Sequence, residues 1–219
     1  MPATFDSRVV GPRELRILQA CQRRVGSLLG GGAALAGVYL RHRLSADADL
    51  LFRSQAALRE MVSLLPDVAA ETGVDISVTR DAGTFVRVTL GLSGSAFEMD
   101  LVFDPTPQIE AAGDPVEGVS VESLADLRAS KLTCILSRSE PRDLVDLLFL
   151  DRAGYPAELD LPLALRKDAG LDPGVLAWLL GQFPVDPLPR MLVPLDRGEL
   201  LAFRDGLGDR MRQLAVRNG

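Results

Sequence analysis

Asp47 and Asp49 stand one residue apart at the head of an apolar run, Asp47-Ala48-Asp49-Leu50-Leu51-Phe52. On an extended strand, residues two apart point to the same side, so both carboxylates project together. Two acids held that close repel each other unless a cation lies between them. Hard oxygen ligands suit Mg²⁺ or Mn²⁺, which take further oxygens from a bound phosphate. A solvent-facing pair at a strand entrance fits the same spacing, and the pair alone leaves both readings open.

A third acid, Asp100, lies inside another apolar run, Phe97-Glu98-Met99-Asp100-Leu101-Val102-Phe103. Glu98 and Asp100 share one face of that strand, and burying them needs a metal or another partner. Three carboxylates on two neighbouring strands can hold two metal ions for in-line phosphoryl transfer. Ahead of them comes Gly30-Gly31-Gly32, a break between a short apolar segment and a helix of small residues. Glycines there let the backbone approach a phosphate and aim helix N-terminal amides at it. A tight turn needs glycine for steric reasons as well.

The elements that must position these groups are legible in outline. Pro12 opens a helix whose apolar residues Leu15, Ile17, Leu18, Cys21, Val25 and Leu28 recur at roughly helical spacing. Leu28-Leu29 is a short strand, residues 33–41 a helix, and residues 48–52 a buried strand. Ser54 caps a helix running to Gly73. The period then changes to two over residues 76–80, 84–90 and 97–103, with turns at Asp81-Ala82-Gly83 and at residues 91–95. These three runs predict a meander and hence a mixed sheet. Past Pro105 the pattern is helical, with helices over 123–137, 141–151, 162–167, 173–183 and 196–216. A proline-rich connector, Pro184 to Pro194, runs between the last two. The fold class is therefore α/β (α+β), with an α/β core over residues 1–110 and an all-helical part over 111–219. Trp178, Phe183 and Phe203 read as core residues.

Composition excludes several classes. With His42 as the single histidine, a histidine-rich zinc site is ruled out and a metal must sit on carboxylates. Cys21 and Cys134 are isolated and fall in helical patterns, as expected of reduced, buried thiols in a cytoplasmic protein. No apolar run approaches the roughly 18 residues of a membrane span, and the first ten residues carry no signal-peptide core. A net charge of −6 opposes non-specific nucleic-acid binding. Arg13, Arg16, Arg23 and Arg24, and Arg204, Arg210, Arg212 and Arg217, remain either local basic patches or solvated helix faces.

The sequence Gly31-Gly32, a short helix, then His42-Arg43-Leu44-Ser45-Ala46-Asp47-Ala48-Asp49 resembles the nucleotidyltransferase superfamily, with its DNA polymerase β-like fold. More narrowly it resembles the AbiEii-type abortive-infection nucleotidyltransferase toxins. Lys131-Leu132-Thr133-Cys134 matches that family's lysine motif, and Arg142-Asp143-Leu144-Val145-Asp146-Leu147 its Asp-x-x-Asp motif. The resemblance implies Asp47 and Asp49 as the metal pair and Asp100 as a third carboxylate orienting the acceptor hydroxyl. It implies Gly31 and Gly32, with Ala33, Arg43 and Ser45, as the nucleotide cradle. Lys131 would approach the phosphates, and Asp143 and Asp146 would line the far side. The family usually carries Ser or Thr where this chain has Ala33, which removes one hydroxyl contact to the triphosphate.

The implied activity is Mg²⁺-dependent transfer of a nucleoside monophosphate from an NTP to an acceptor hydroxyl, on RNA or a tRNA end. The implied biological role is a toxin countered by an antitoxin protein. Ala33 also admits a non-catalytic nucleotide-binding or interaction protein that retains the fold. A dinucleotide-binding reading fails, because Leu35 stands where the third glycine is needed and the acids begin the second strand instead of ending it. Outside the motifs, Lys131 can be read as snorkelling to solvent, and Arg142 with Asp143 as a charge cluster at a helix N-terminus.

Overall fold

The structure, a computed structural model, describes residues 3–92 and 95–218. The chain divides into two compact units. One comprises residues 1–106 and 111–123, the other residues 107–110 and 124–219. Residues 111–123 join the first unit because they run beside its first strand. Leu29 N–H donates to Ser120 O and Glu122 N–H donates to Leu29 O, both at 2.9 Å.

The first unit opens with helix α1 (Pro12–Arg24) and strand β1 (Leu28–Gly30). Helix α2 (Gly31–Ala34) continues directly into a π-helical segment, Leu35–Leu40. Strand β2 (Asp47–Phe52) follows, then helices α3 (Gln55–Ser63) and α4 (Leu65–Thr72), and strands β3 (Asp75–Asp81), β4 (Phe85–Leu92) and β5 (Ser95–Phe103). The sheet order is β1-β2-β5-β4-β3. Strands β3, β4 and β5 form the expected antiparallel meander, while β2 and β5 run parallel. The sheet is therefore mixed. The expected turn at 91–95 falls partly outside the described residues, at 93 and 94.

Local chemistry explains the boundaries. Ser54 Oγ accepts from Ala57 N–H at 3.1 Å and caps α3. The single helix expected from Ser54 to Gly73 is two helices, broken at Leu64. Pro66 has no N–H to bond back and so cannot continue α3, but it suits the first turn of α4. Gly73 ends α4 in the left-handed region at φ 67°. The core comprises the alternating residues Ala48, Leu50 and Phe52 of β2, Val86, Val88 and Leu90 of β4, and Met99 and Leu101 of β5. Ala33 and Ala34 of α2 are fully buried, and their small size lets α2 lie close on β2.

The second unit is helical: α5 (Leu124–Ser137), α6 (Pro141–Arg152), a 3₁₀ turn (Ala157–Asp160), α7 (Leu161–Lys167), α8 (Pro173–Leu180) and α9 (Arg197–Asn218). The connector from Pro184 to Pro194 carries no helix. Asp126 accepts from Ile109 N–H at 2.9 Å and pairs with Lys167 at 2.9 Å, which ties residues 107–110 into this unit. Phe183 is buried and Phe203 half-buried, but Trp178 is not a core residue. It is 65% exposed, because α8 buries Leu176, Ala177 and Leu180 and turns Trp178 outward. Cys21 is buried and Cys134 partly so, and both are free thiols. Burial pushes the Cys21 thiol up to about 12, so it is no nucleophile at neutral pH. Among the described residues, no helix is long and apolar enough to cross a membrane.

Candidate active site

The glycine turn is shaped by the motif that follows it. Gly31 adopts φ +60°, and a Cβ there would collide with the Asp49 carboxylate. A Cβ on Gly32 would lie 2.8 Å from Arg43 Nη2 and 2.9 Å from Ser45 Oγ. Both glycines are thus required because three polar side chains of the succeeding loop and strand fold back onto them. Arg43 is 2% exposed, and its Nη1 donates to Leu44 O at 2.9 Å. Ser45 Oγ is buried and has no hydrogen-bond partner among the described residues. An unused donor beside a glycine turn and a helix N-terminus is the arrangement that receives a phosphate oxygen. Ala33, by contrast, is fully buried, so the hydroxyl next to this turn belongs to Ser45.

The chain comes back from this helix by an unusual route. Arg41 N–H donates to Ala36 O at 3.0 Å, an i→i+5 bond, and Arg41 itself lies in the left-handed region at φ 54°. Such π turns concentrate at functional sites. Here the turn delivers His42, fully buried, and Arg43 beside the glycines.

Strand pairing sets the acids. Asp49 of β2 pairs with Gly30 of β1 on one side and Asp100 of β5 on the other. Asp100 in turn pairs with Arg87 of β4, and Arg87 with Arg80 of β3. One row across the sheet therefore reads Gly30, Asp49, Asp100, Arg87, Arg80. The neighbouring row places Asp47 opposite Glu98. Asp47 and Asp49 are half-buried on the same face of β2, as the alternation requires. Asp100 is nearly buried, and Arg87 forks it: Nε donates to Oδ1 and Nη2 to Oδ2, each at 2.7 Å. Arg87 Nη1 lies 3.1 Å from Glu98 Oε2. The hydrogen bond to Asp100 raises the Arg87 pKa above its ordinary value; burial opposes this, and the charges of Asp100, Glu98 and Asp47 add to it.

Among the described residues, no three His, Cys, Asp or Glu side chains are grouped so as to hold a metal ion. Asp47 and Asp49 fit a divalent ion that completes its shell with phosphate oxygens, since Mg²⁺ commonly takes one or two carboxylates alongside substrate phosphates. The expected third ligand, Asp100, accepts from Arg87 with both oxygens.

In the second unit, Lys131 of α5 is 3% exposed. Its Nζ lies 2.9 Å from Asp143 Oδ1 and 2.7 Å from Asp146 Oδ2, both fully buried on α6. The three-residue spacing on α6 puts both acids on the face toward α5. Arg138 forks Asp143 through Nε at 2.8 Å and Nη2 at 2.9 Å. Burial pushes the Asp143 carboxyl up, but Lys131 and Arg138 outweigh it and hold the pKa below its ordinary value. Lys131 does not snorkel; it is the centre of a buried ion cluster.

Two cations escaped the sequence reading. Arg87 pairs with Asp100 through the antiparallel register of β4 and β5, which the period-two pattern of each strand alone does not set. Arg138 follows α5 in the short link to α6 and gives no periodic signal. A third residue, Glu122, is 2% exposed, and its Oε2 would lie 2.6 Å from a Cβ on Gly30. Its position depends on the loop at 111–123, which has no helical or strand pattern to place it.

The sequence signature described as nucleotidyl transferase AbiEii toxin, Type IV TA system, matches residues 16–213. Searches of curated protein sequences find no match. Among solved structures, the chain is similar to MenT4, a nucleotidyltransferase toxin of Mycobacterium tuberculosis, at 16% identity over 92% of this chain and 85% of that one, with a TM-score of 0.62. It is also similar to JHP933 from Helicobacter pylori, at 19% identity over 98% and 96% of the two chains, with a TM-score of 0.57. At these identities the likenesses establish a shared fold.

Proposed function

Since the chain belongs to the AbiEii nucleotidyltransferase toxin family and is a nucleotidyltransferase, we propose that the sheet face around Gly31 and Asp49 is where it moves a nucleoside monophosphate from an NTP to an acceptor hydroxyl. The observation that carries this reading is the closure of one glycine turn by Asp49, Arg43 and Ser45 together. That arrangement leaves no room for side chains at Gly31 and Gly32, while backbone amides, a buried hydroxyl donor and a guanidinium converge there.

In this reading the triphosphate lies on Gly31, Gly32 and the start of α2. Arg43 neutralises a phosphate oxygen, and Ser45 donates the hydroxyl contact that Ala33 lacks. Asp47 and Asp49 hold Mg²⁺, or Mn²⁺, with the phosphates. The ion, when bound, supplies charge stabilisation for the group in transfer and for the departing pyrophosphate. The side chains supply orientation and a fixed negative surface for the ion. Lys131, Asp143, Arg138 and Asp146 serve as a second group of polar residues, pre-ordered by their own ion pairs and so able to present a lysine charge without first desolvating it.

The acceptor in this reading is RNA, a tRNA end in particular, and the place of action the cytoplasm; the family's toxin–antitoxin description supports an antitoxin as its counterpart. Arg13, Arg16 and Arg23 of α1 are exposed, and Arg16 and Arg23 line a cavity of about 260 Å³ with Gln19, Glu71 and Thr72. In the N-terminal set Arg23 and Arg24 pair with Glu71, and in the C-terminal set Arg210 pairs with Asp151 and Glu158, Arg212 with Asp209 and Arg204 with Asp205. The exposed Arg13 and Arg16 are the candidates for RNA phosphates. The test is incubation of purified protein with labelled NTPs, Mg²⁺ and total RNA, comparing wild type with Asp49→Ala. Label in RNA that depends on Asp49 is the expected result; equal labelling by both proteins would sink the reading.

A further inference from the structure

We propose that Arg80, laid over the Phe85 ring on the open face of the sheet, binds a backbone phosphate of the acceptor, and that the acceptor is a single-stranded nucleic acid lying across the strands from β3 towards β2. This rests on the nucleotidyl-transfer reading above and adds to it the path of the acceptor strand.

A bulge in the edge strand decides where Arg80 points. Val78 of β3 pairs with Val88 of β4, so in a regular ladder Thr79 would face Arg87 and Arg80 would face Val86. The register shifts between Val78 and Arg80, and Arg80 takes the place opposite Arg87 instead. Directly paired residues share a face of the sheet, and a bulge re-aims the side chain that follows it. Arg80 therefore leaves the side of the buried Val86 and Val88 and joins the row that carries Asp49 and Asp100. There its Cζ lies 5.6 Å from the centroid of the Phe85 ring, and Arg87 Cζ lies 5.7 Å from the same centroid. The ring attracts the guanidinium, so a long exposed side chain is ordered before any ligand arrives.

Charge and distance name the ligand. Arg87 is taken up by Asp100 and Glu98. Asp81, the acid next to Arg80 in sequence, pairs with Val86 across the strands and is forked by Arg59 of α3 at 2.6 and 2.8 Å. Arg80 itself is exposed and meets no carboxylate among the described residues. A free guanidinium presents forked donors that match a phosphate. Arg80 stands three strands over from Asp49 in the sheet order, and at about 4.8 Å per strand that is about 14 Å. A triphosphate seated at Gly31 ends well short of it, whereas a polynucleotide with its terminal hydroxyl at Asp49 reaches it within a few nucleotides. Planar groups on an open sheet face suit an unpaired strand, whose bases and phosphates are free to lie along them.

The experiment is fluorescence anisotropy with a 5′-labelled single-stranded RNA over a salt series, together with transfer kinetics on the same RNA. Arg80→Ala should weaken RNA binding about fivefold or more and reduce the slope of log affinity against log salt by about 0.7, the share of one phosphate on a single strand. Arg80→Lys keeps the charge and should bind within about threefold of wild type. Phe85→Leu keeps both arginines and should weaken binding about threefold at an unchanged slope. Arg190→Ala removes an exposed arginine of the second unit and should change affinity by less than about twofold. In transfer, Arg80→Ala should raise KM for the RNA about fivefold and leave KM for the NTP within about twofold of wild type. RNA binding unmoved by Arg80→Ala, an unchanged salt slope, or an equal loss in Arg190→Ala would each overturn the inference and leave nucleotidyl transfer standing. Wild type that transfers to a protein and binds no RNA would overturn it too. Arg80-dependent RNA binding by a wild type that transfers nothing would uphold this site and bring down the transfer reading instead.

Discussion

The two units use the same residue type in opposite ways. Asp47 and Asp49 sit half-buried on a sheet face beside a glycine turn. Asp143 and Asp146 are fully buried, with Lys131 between them and Arg138 across Asp143. In the first case the protein leaves two acids part-exposed on one sheet face. In the second it brings its own cations and shuts solvent out. Depth of burial separates the two pairs, and Asp100, nearly buried and forked by Arg87 within the first unit, lies closer to the helical acids.

That contrast can be broken by mutation, most severely in the helical unit. Lys131→Met leaves Asp146 without its lysine in a buried site and should cost about 3–5 kcal/mol of stability, read as a lower urea midpoint. A loss under about 1 kcal/mol would show that the cluster is wet and not organising. Next, Asp49→Asn should lower nucleotidyl transfer at least about 100-fold, a few kcal/mol of transition-state stabilisation. Its helical content by circular dichroism should match wild type, since Asn keeps the shape of the side chain. If it unfolds the protein instead, the sheet acids are structural and the contrast fails.

Acid titration sharpens the same point. The Asp143 pKa is depressed in the folded state, so its contribution to stability is present above the ordinary carboxylate value of 3.8 and is lost as pH falls through the depressed one. Urea unfolding of wild type should weaken over that range, and the loss should shrink in Lys131→Met. The smallest effect expected is from Ser45→Ala. Removing one hydroxyl donor to a phosphate should raise KM for the NTP about fivefold, about 1 kcal/mol, with the thermal midpoint unchanged because Ser45 Oγ has no partner among the described residues to lose.

Much of this was legible in the sequence because the signals were local. Period-two patterns gave the meander, and the Asp47-x-Asp49 alternation gave a shared face. The Gly31-Gly32 pair marked the turn. The three-residue spacing of Asp143 and Asp146 gave a common helix face. Partnership was harder. Nothing near Lys131 says that it is buried, because the two acids that make burial tolerable lie on another helix. Arg87 was hidden in a strand whose partner on β5 is set by the register between the two strands. The split at Leu64 follows from Pro66, a residue type that sequence reading can weigh, whereas the π turn after Ala34 rests on packing that no single residue announces. Trp178 was misplaced because a large aromatic in an apolar helix defaults to the core. Only the neighbouring residues Leu176, Ala177 and Leu180 show which side of α8 is full.

The outward turn of that side chain has an optical consequence. Trp178 is the chain's one tryptophan and is 65% exposed. The native protein should therefore emit near the wavelength of the indole in water and be readily quenched by acrylamide. Unfolding would then shift its spectrum little, and fluorescence would be a poor gauge of stability, leaving circular dichroism to follow the helices. The same indole becomes a sensitive reporter for anything that settles on α8.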